Sequence, residues 1–523
     1  MNEPSNTIPF AAGPMGTYAV SHPDKPITIG QERTLSWGGL LDRSIKLAKK
    51  LFELGLRPGN KAALMTYNLP EYYEITQAFK LIGVGLIMVG FKSKASEIEY
   101  IANNSEARCL FFHQDFSDEI LPFKKNYKYV LKTGFVSFDG RCNGAMAYED
   151  LFKETPDIDL NNLPPAEGGG ESMTYTSGTT GKPKGAFYKI GEADLEAAVR
   201  FIMDSMAYLK YDNNEVHLLC CPIYHSGPSY FAALTFNVGG TIVLQHKFDP
   251  EKWYELVSTH SVTSSHIVPT MLYALLDVPQ SFTDKLDLSS LRSVVCGAAP
   301  LSPKAKLDAL DRFGSVFYEY YGSTETAINT FIGPNEIPEK PNSVGKAFGE
   351  NEIRLVNESG HDVPDGEQGI LYVHNVVCAS GYYKNKEASD EIRLGKFITA
   401  GDIAVRDADG YYYIVDRIKD MIIRGGVNIY PAEIELVLND MPEIKDAAVV
   451  GQPDEYWGEV VAAFIVVNKE MDVSEQSIRQ YCEERMAKNK VPALIRFMDE
   501  MPRTPTGKIL KRELRDILAE KKP

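Results

Sequence analysis

Thr174-Tyr175-Thr176-Ser177-Gly178-Thr179-Thr180-Gly181-Lys182-Pro183-Lys184-Gly185 is the most informative stretch of this chain. Eight of its twelve residues are Gly, Ser or Thr, and two lysines sit among them. Glycine permits the positive φ that lets successive backbone N–H groups turn toward one anion, and the hydroxyls and lysines add donors and charge. The stretch therefore reads as a loop that cradles a polyphosphate. It is not a Walker A loop, which needs G-x-x-x-x-G-K-[ST]; here only Thr179 and Thr180 separate Gly178 from Gly181, and Pro183 follows Lys182. A solvated Ser/Thr/Gly linker is the ordinary alternative, and the ordered glycines, the Lys-Pro-Lys and a preceding strand argue against it.

On the amino-terminal side, apolar residues recur with a helical period at Leu41, Ile45, Ala48 and Phe52 and stop at Gly55. A strand is expected at 61–65, a helix at 70–82, and further strands at 86–89 and 109–112. Beyond the loop, strands at 216–220, 241–244, 264–268 and 293–295 alternate with helices such as 250–258. This alternation predicts an α/β fold whose sheets are mainly parallel and covered by helices. Between Ser343 and Tyr413, short runs at 352–356, 369–373 and 411–415 are broken by Glu358-Ser359-Gly360, Pro364-Asp365-Gly366 and Asp407-Ala408-Asp409-Gly410, which predicts a small antiparallel β subdomain. After Asp416-Arg417-Ile418-Lys419-Asp420 the pattern restarts as helix 431–438, strands 447–450 and 460–467, and helix 474–486, enough for a separate α+β domain. The expected division is residues 1–418 and residues 419–523.

Composition narrows the function classes. The 523 residues carry 55 Lys and Arg against 71 Asp and Glu, a net charge of −16, which argues against the broad basic footprint of a nucleic-acid binder. Seven cysteines without a CxxC pair favour reduced thiols over a disulfide or zinc framework. Residues 1–16 lack the apolar core of a signal peptide, and the longest apolar run, 81–90, is about half a membrane span. A cytoplasmic protein without a membrane span is expected. The chain ends Lys521-Lys522-Pro523, which is not a peroxisomal address. No G-x-S-x-G elbow or H-E-x-x-H supports a hydrolase.

The glycine-rich run resembles the signature of the adenylate-forming superfamily of acyl-CoA synthetases, luciferases and peptide-synthetase adenylation domains. Further stretches match in order. Gly297-Ala298-Ala299-Pro300 resembles the family's adenine-pocket turn, and Glu319-Tyr320-Tyr321-Gly322-Ser323-Thr324-Glu325 its aromatic-Gly-x-Thr-Glu segment. Thr399-Ala400-Gly401-Asp402 is similar to the ribose-binding turn, Asp416 to Asp420 to the interdomain hinge, and Gly425-Gly426 with Pro431 and Glu433 to the segment after it. Pro502 to Lys508 resembles the carboxyl-terminal catalytic loop.

The resemblance implies a two-step reaction: a carboxylate attacks the α-phosphorus of ATP and releases pyrophosphate, then a thiol displaces AMP to give a thioester. It implies Mg²⁺, with ATP and CoA as co-substrates. Thr176, Ser177, Gly178, Thr179, Thr180, Gly181 and Lys182 would hold the β- and γ-phosphates, with Thr176 and Glu325 near the metal. Asp402 and Arg417 would bind the ribose, and Lys508 would bridge the α-phosphate and the carboxylate. Lys419 would be the hinge about which a mobile carboxyl-terminal domain turns between steps. Gly425 and Gly426 would let pantetheine pass close to backbone, and His225 would gate the carboxylate and thiol path. Taken singly these residues have ordinary readings: Glu325 a solvated carboxylate, Asp402 a turn residue, Lys419 and Lys508 surface charges, His225 a buried structural histidine.

Residues 226–237 contain no acidic side chain to pair an amino acid's ammonium, and no carrier domain is expected after residue 523. Both favour a free-standing acid:CoA ligase, with a ligase that loads a carrier protein in trans as the alternative and a non-catalytic ATP-binding regulator as a third. By the same resemblance 226–231 and 297–299 form the acyl pocket, whose small and aromatic residues suit an apolar fatty, alicyclic or aromatic acid. The expected partners are that acid, ATP and CoA, with no nucleic acid, in a monomer or homodimer. The chain departs from the family pattern at Gly90-Phe91-Lys92-Ser93-Lys94, where an Asn-Pro/Ala-Arg turn is usual, and at Cys296, where a small residue is usual.

Overall fold

The computed structural model describes residues 13–163, 171–176, 183–189, 191, 194–468, 471, 473–503 and 509–520. In one large sheet, Met173–Thr176, Gly85–Val89, Lys61–Met65, Cys109–His113 and Phe135–Phe138 are parallel neighbours in that order. Every residue of Lys61–Met65 and Cys109–His113 is buried, as largely apolar strands are when helices cover both faces of a parallel sheet. Helix Trp37–Glu53 starts at Ser36, whose Oγ accepts from Gly39 N–H and satisfies one donor of the first turn. Its buried face is Leu40, Leu47, Ala48 and Leu51; Leu41, Ile45 and Phe52 of the expected face are half-buried flanks. The helix is as expected, with its apolar arc rotated by one residue.

The second large sheet places Phe317–Ser323, Ser293–Cys296, Ser264–Ile267, Val216–Leu219, Thr241–Leu244 and Pro26–Ile29 side by side and parallel. The chain leaves Val216–Leu219 for Thr241–Leu244 on one side, then returns to Ser264–Ile267 on the other. The strand order thus reverses at Val216–Leu219. A reversal of this kind is where open α/β sheets bind ligands, at the carboxyl ends of the strands. Cys220 to His225 follow the carboxyl end of this strand and lead into helix Ser226–Asn237. Pro26–Ile29, four residues long, is too short to show a period and is assigned by its partners, parallel Thr241–Leu244 and antiparallel Thr34–Ser36.

The third sheet is antiparallel, as the turn-rich sequence predicts: Glu352–Val356 pairs with Gly369–His374, and Asp402–Arg406 with Tyr412–Arg417. A single turn, Ile418–Asp420, leads into the last sheet, built on the hairpin Ile444–Asp454 and Gly458–Val467. The first of these strands runs well past the expected 447–450 because its partner keeps supplying ladder hydrogen bonds beyond the apolar run. Ile422, Ile434, Val449, Ile465 and Ile478 pack into a core drawn only from residues after the turn. Across the turn, Ala432 N–H donates to Asp416 Oδ2 at 2.8 Å, and Arg515 Nη2 pairs with Asp420 Oδ1 at 2.9 Å. The architecture is mixed α/β, with parallel-rich amino-terminal sheets, a small β unit and a smaller carboxyl-terminal α+β unit. Among the described residues no helix is long and apolar enough to cross a membrane.

Candidate active site

Stretches far apart in sequence meet along residues 320–326. Strand Phe317–Ser323 ends the parallel run and turns back into antiparallel Ala327–Ile332. Ser323 Oγ holds the turn by accepting from the N–H groups of Glu325 (3.2 Å) and Thr326 (3.1 Å). Glu325 Oε1 accepts from Tyr382 Oη at 2.8 Å, and its carbonyl from Ala379 N–H at 2.8 Å. Tyr188 Oη donates to the Thr324 carbonyl at 2.6 Å, and Thr324 Oγ1 lies 3.4 Å from Ser226 Oγ. Burial and then the Glu325 charge push the Tyr382 phenol up, so it remains a donor.

Thr176 ends one strand of a hairpin, opposite Lys184 of its partner Lys184–Phe187, and its Oγ1 donates to the Lys184 carbonyl at 3.4 Å. Gly381–Tyr382 adds to the other edge of Lys184–Phe187, and Lys184 Nζ lies 5.2 Å from the Tyr382 ring centroid. Tyr382 thus links the Thr176 hairpin to Glu325. Ser177, Gly178, Thr179, Thr180, Gly181 and Lys182 lie outside the described residues, as does Lys508.

Asp402 and Arg417 face each other in the antiparallel ladder. Asp402 Oδ1 accepts from Arg417 Nε at 2.8 Å and Oδ2 from Tyr321 Oη at 2.6 Å, with Asp402 only 3% exposed. Burial works against the Arg417 charge, but Asp402 together with Tyr321 and Asp420 more than offsets it and the guanidinium is held above its ordinary range. Burial, then Asp402, drives the Tyr321 phenol well up.

Gly297 is buried at the end of Ser293–Cys296, and exposed Ala298 adopts φ +70°, a left-handed conformation that costs a non-glycine residue energy and turns Ala299 and Pro300 away from the strand. Glu319 is turned inward: its carboxylate pairs with Lys306 Nζ at 2.5 Å, both side chains nearly inaccessible, and Lys306 also donates to the Ser343 carbonyl at 2.8 Å. Burial pushes the Glu319 carboxyl up and Lys306 opposes it. Tyr320 is buried between helix Ser226–Asn237 and Gly297. Gly322 sits where a Cβ would come within 2.1 Å of the Ala327 carbonyl oxygen, so the turn closes only over glycine.

His225 caps helix Ser226–Asn237, its ring 4.0 Å from that of Tyr224. Its Nε2 is buried with no hydrogen-bond partner among the described residues, and burial pushes its pKa down to about 4. Lys419 is exposed on the turn Ile418–Asp420. Gly425 and Gly426, at φ +58° and +79°, form the two-residue turn between Ile422–Arg424 and Val427–Ile429. This hairpin lies in the carboxyl-terminal sheet; Gly425 N–H donates to the Trp457 carbonyl at 2.7 Å. Sequence reasoning missed Tyr382, Tyr188, Lys306 and His266, the last with its Nε2 3.2 Å from Tyr320 Oη, because each meets a partner outside its own local stretch and sits in no recognisable motif.

The fold and this convergence define a class. The chain matches the family model described as AMP-binding enzyme over residues 17–383 and the AMP-binding enzyme C-terminal domain over 433–508, and it belongs to that family. Among its relatives, the medium/long-chain-fatty-acid–CoA ligase FadD8 of Mycobacterium tuberculosis is 31% identical over 94% of this chain and 87% of its own length. The fatty acid–[acyl-carrier-protein] ligase ScoC of Streptomyces coeruleorubidus is 30% identical over 95% and 94%. The o-succinylbenzoate CoA synthetase of Bacillus subtilis, solved with its acyl-adenylate intermediate, superposes with a TM-score of 0.82 at 26% identity over 96% of this chain and 98% of that one.

Proposed function

We propose that the protein is an ATP-dependent acid:CoA ligase acting in the cytoplasm. The observation that carries this reading is the meeting of the Thr176 hairpin, Glu325 and the Tyr321–Asp402–Arg417 cluster along one seven-residue segment. A carboxylate's leaving group would be oxide, so it must first be converted into a good acyl donor. Its oxygen attacks the α-phosphorus of ATP, the α–β bridging bond breaks and pyrophosphate leaves. The CoA thiol, losing its proton, then attacks the acyl carbon and AMP leaves with the bonding pair.

In this reading 176–182 hold the outer phosphates, Asp402 and Arg417 take the ribose hydroxyls, and the 297–300 turn borders adenine. Lys508 offsets the repulsion between carboxylate and α-phosphate, and His225, neutral at physiological pH, lines the acyl and thiol path. The Glu325 carboxylate and Thr176 hydroxyl are hard oxygen donors, a set that suits Mg²⁺ held mainly by phosphate oxygens and water. Among the described residues no larger cluster of acidic, His or Cys side chains competes for a metal. Bound there, Mg²⁺ supplies charge neutralisation on the phosphates. Residues 1–418 are read as the nucleotide and acyl domain and 419–523 as the domain that turns about Lys419. The partners are the small acid, ATP and CoA, with the protein as monomer or homodimer.

Pyrophosphate release that depends on an added carboxylic acid, followed by AMP and thioester on adding CoA, is the expected result. Because a relative at this distance loads a carrier protein, pyrophosphate release without thioester at high CoA would favour acyl transfer to a carrier pantetheine. No pyrophosphate release with any acid would refute catalysis.

A further inference from the structure

This inference rests on the acid-adenylating reading and concerns which acids enter. The two stretches assigned to the acyl pocket, 226–231 and 297–299, face each other across one side chain. A Cβ built on Gly297 would lie 2.3 Å from Tyr320 Cε1, and one built on Gly227 would lie 2.7 Å from Tyr320 Oη. The phenol therefore spans the gap from one backbone to the other, its ring against Gly297 and its hydroxyl against Gly227. Both positions are glycine because Tyr320 occupies the volume a side chain would need.

The ring is also braced. Tyr320 Oη and His266 Nε2 are 3.2 Å apart, and the His266 ring stacks on Phe231 at 4.8 Å and 15°. Phe231 in turn lies 5.5 Å from the Tyr320 ring and is fully buried. Behind them stand Tyr318, Ile328, Phe331 and Phe348, packed in the same cluster. An alkyl tail entering between the two stretches would have to pass where the phenol lies. Moving the ring aside would break a buried hydrogen bond and press an aromatic side chain into an interior packed at crystal-like density.

We propose that Tyr320, held by His266 and Phe231, is the floor of the acyl pocket and restricts the enzyme to compact acids, a single ring or a short chain, at the expense of long alkyl chains. The residue touches the substrate's far end and sets specificity; it takes no part in the chemistry.

The test compares kcat/KM for acid-dependent pyrophosphate release with benzoate, hexanoate and dodecanoate in wild type and in Tyr320→Phe, Tyr320→Leu and Tyr320→Ala. Wild type is expected to prefer benzoate and hexanoate. The Ala and Leu variants are expected to shift the dodecanoate-to-hexanoate ratio upward by about tenfold or more, the range a hydrophobic pocket discriminates, chiefly through KM. Tyr320→Phe keeps the ring and so keeps the wild-type ratio within a few fold. Tyr320→Leu fills more of the site than Ala and carries the test if Ala melts too early. Equal use of dodecanoate and hexanoate by wild type, or an unchanged ratio in a folded Leu or Ala variant, overturns this inference alone. Failure of every acid in a broad panel to drive pyrophosphate release in wild type overturns the ligase reading and this one together.

Discussion

Asp402 illustrates how a side chain acquires a role from what surrounds it. Alone it is an aspartate after glycine; in the fold it is buried, with Tyr321 and Arg417 on its two oxygens. Asp402→Ala leaves both partners without their acceptor, so it should lower stability by about 1–3 kcal/mol in urea unfolding and raise the KM for ATP. Tyr382→Phe removes the donor that orients Glu325. A hydrogen bond to a charged group contributes about 1.5–3 kcal/mol, so the Mg²⁺ concentration for half-maximal pyrophosphate release should rise by about tenfold or more. Lys508→Ala should slow adenylation by about 10²-fold or more while acyl transfer from supplied acyl-AMP to CoA is largely kept; equal loss of both half-reactions would remove its assigned role. Asp402, Arg417 and Glu325 were legible because they stand in recognisable runs. Tyr382 was not: it reaches Glu325 because Gly381–Tyr382 adds to the strand Lys184–Phe187, almost two hundred residues earlier.

Among elements, those with several turns or a clear alternation were read correctly, and errors fell where pairing overrides local pattern. The helix Trp37–Glu53 was placed, but its buried arc is centred on Leu40, Leu47 and Leu51, because contact with helix Glu71–Leu81 selects the face. The strand Ile444–Asp454 outruns its apolar stretch because a ladder partner satisfies backbone groups whatever the side chains. The turn Ile418–Asp420 is short, with Asp416 and Asp420 tied to the carboxyl-terminal unit on either side of exposed Lys419. A proline there fixes φ and restricts the preceding residue, so Lys419→Pro should impair thioester formation more than adenylation when the two half-reactions are assayed separately. Unchanged overall turnover would refute the hinge.

For the molecule as a whole, buried histidines tie stability to pH. His217, His225 and His266 are buried, and burial pushes their pKa values down to about 3, about 4 and about 3. Released from the fold, each takes a proton near pH ~6.5. Between that pH and the folded values the unfolded chain binds more protons, so stability is full above the window and is lost as pH falls through it. The loss is up to about 1.4 kcal/mol per histidine per pH unit. Urea midpoints should therefore fall between pH 7 and pH 5, and His266→Phe should show a shallower slope. On the proposed reading, a protein of net charge −16 that takes ATP, CoA and a carboxylate would attract them through local cations such as Arg417 rather than through its overall field.

By itself the sequence determined the family, the order of the sheets' building blocks and the residues of the motifs, because these depend on local periodicity, turn chemistry and spacing. Only the tertiary structure decided how they meet. It reversed the strand order at Val216–Leu219, set Tyr382 against Glu325, turned Glu319 inward to Lys306 and laid Tyr320 between Gly227 and Gly297. Each of these joins residues that are not neighbours in sequence, fixed by packing and by the need to pair buried polar groups, and none leaves a periodic trace along the chain.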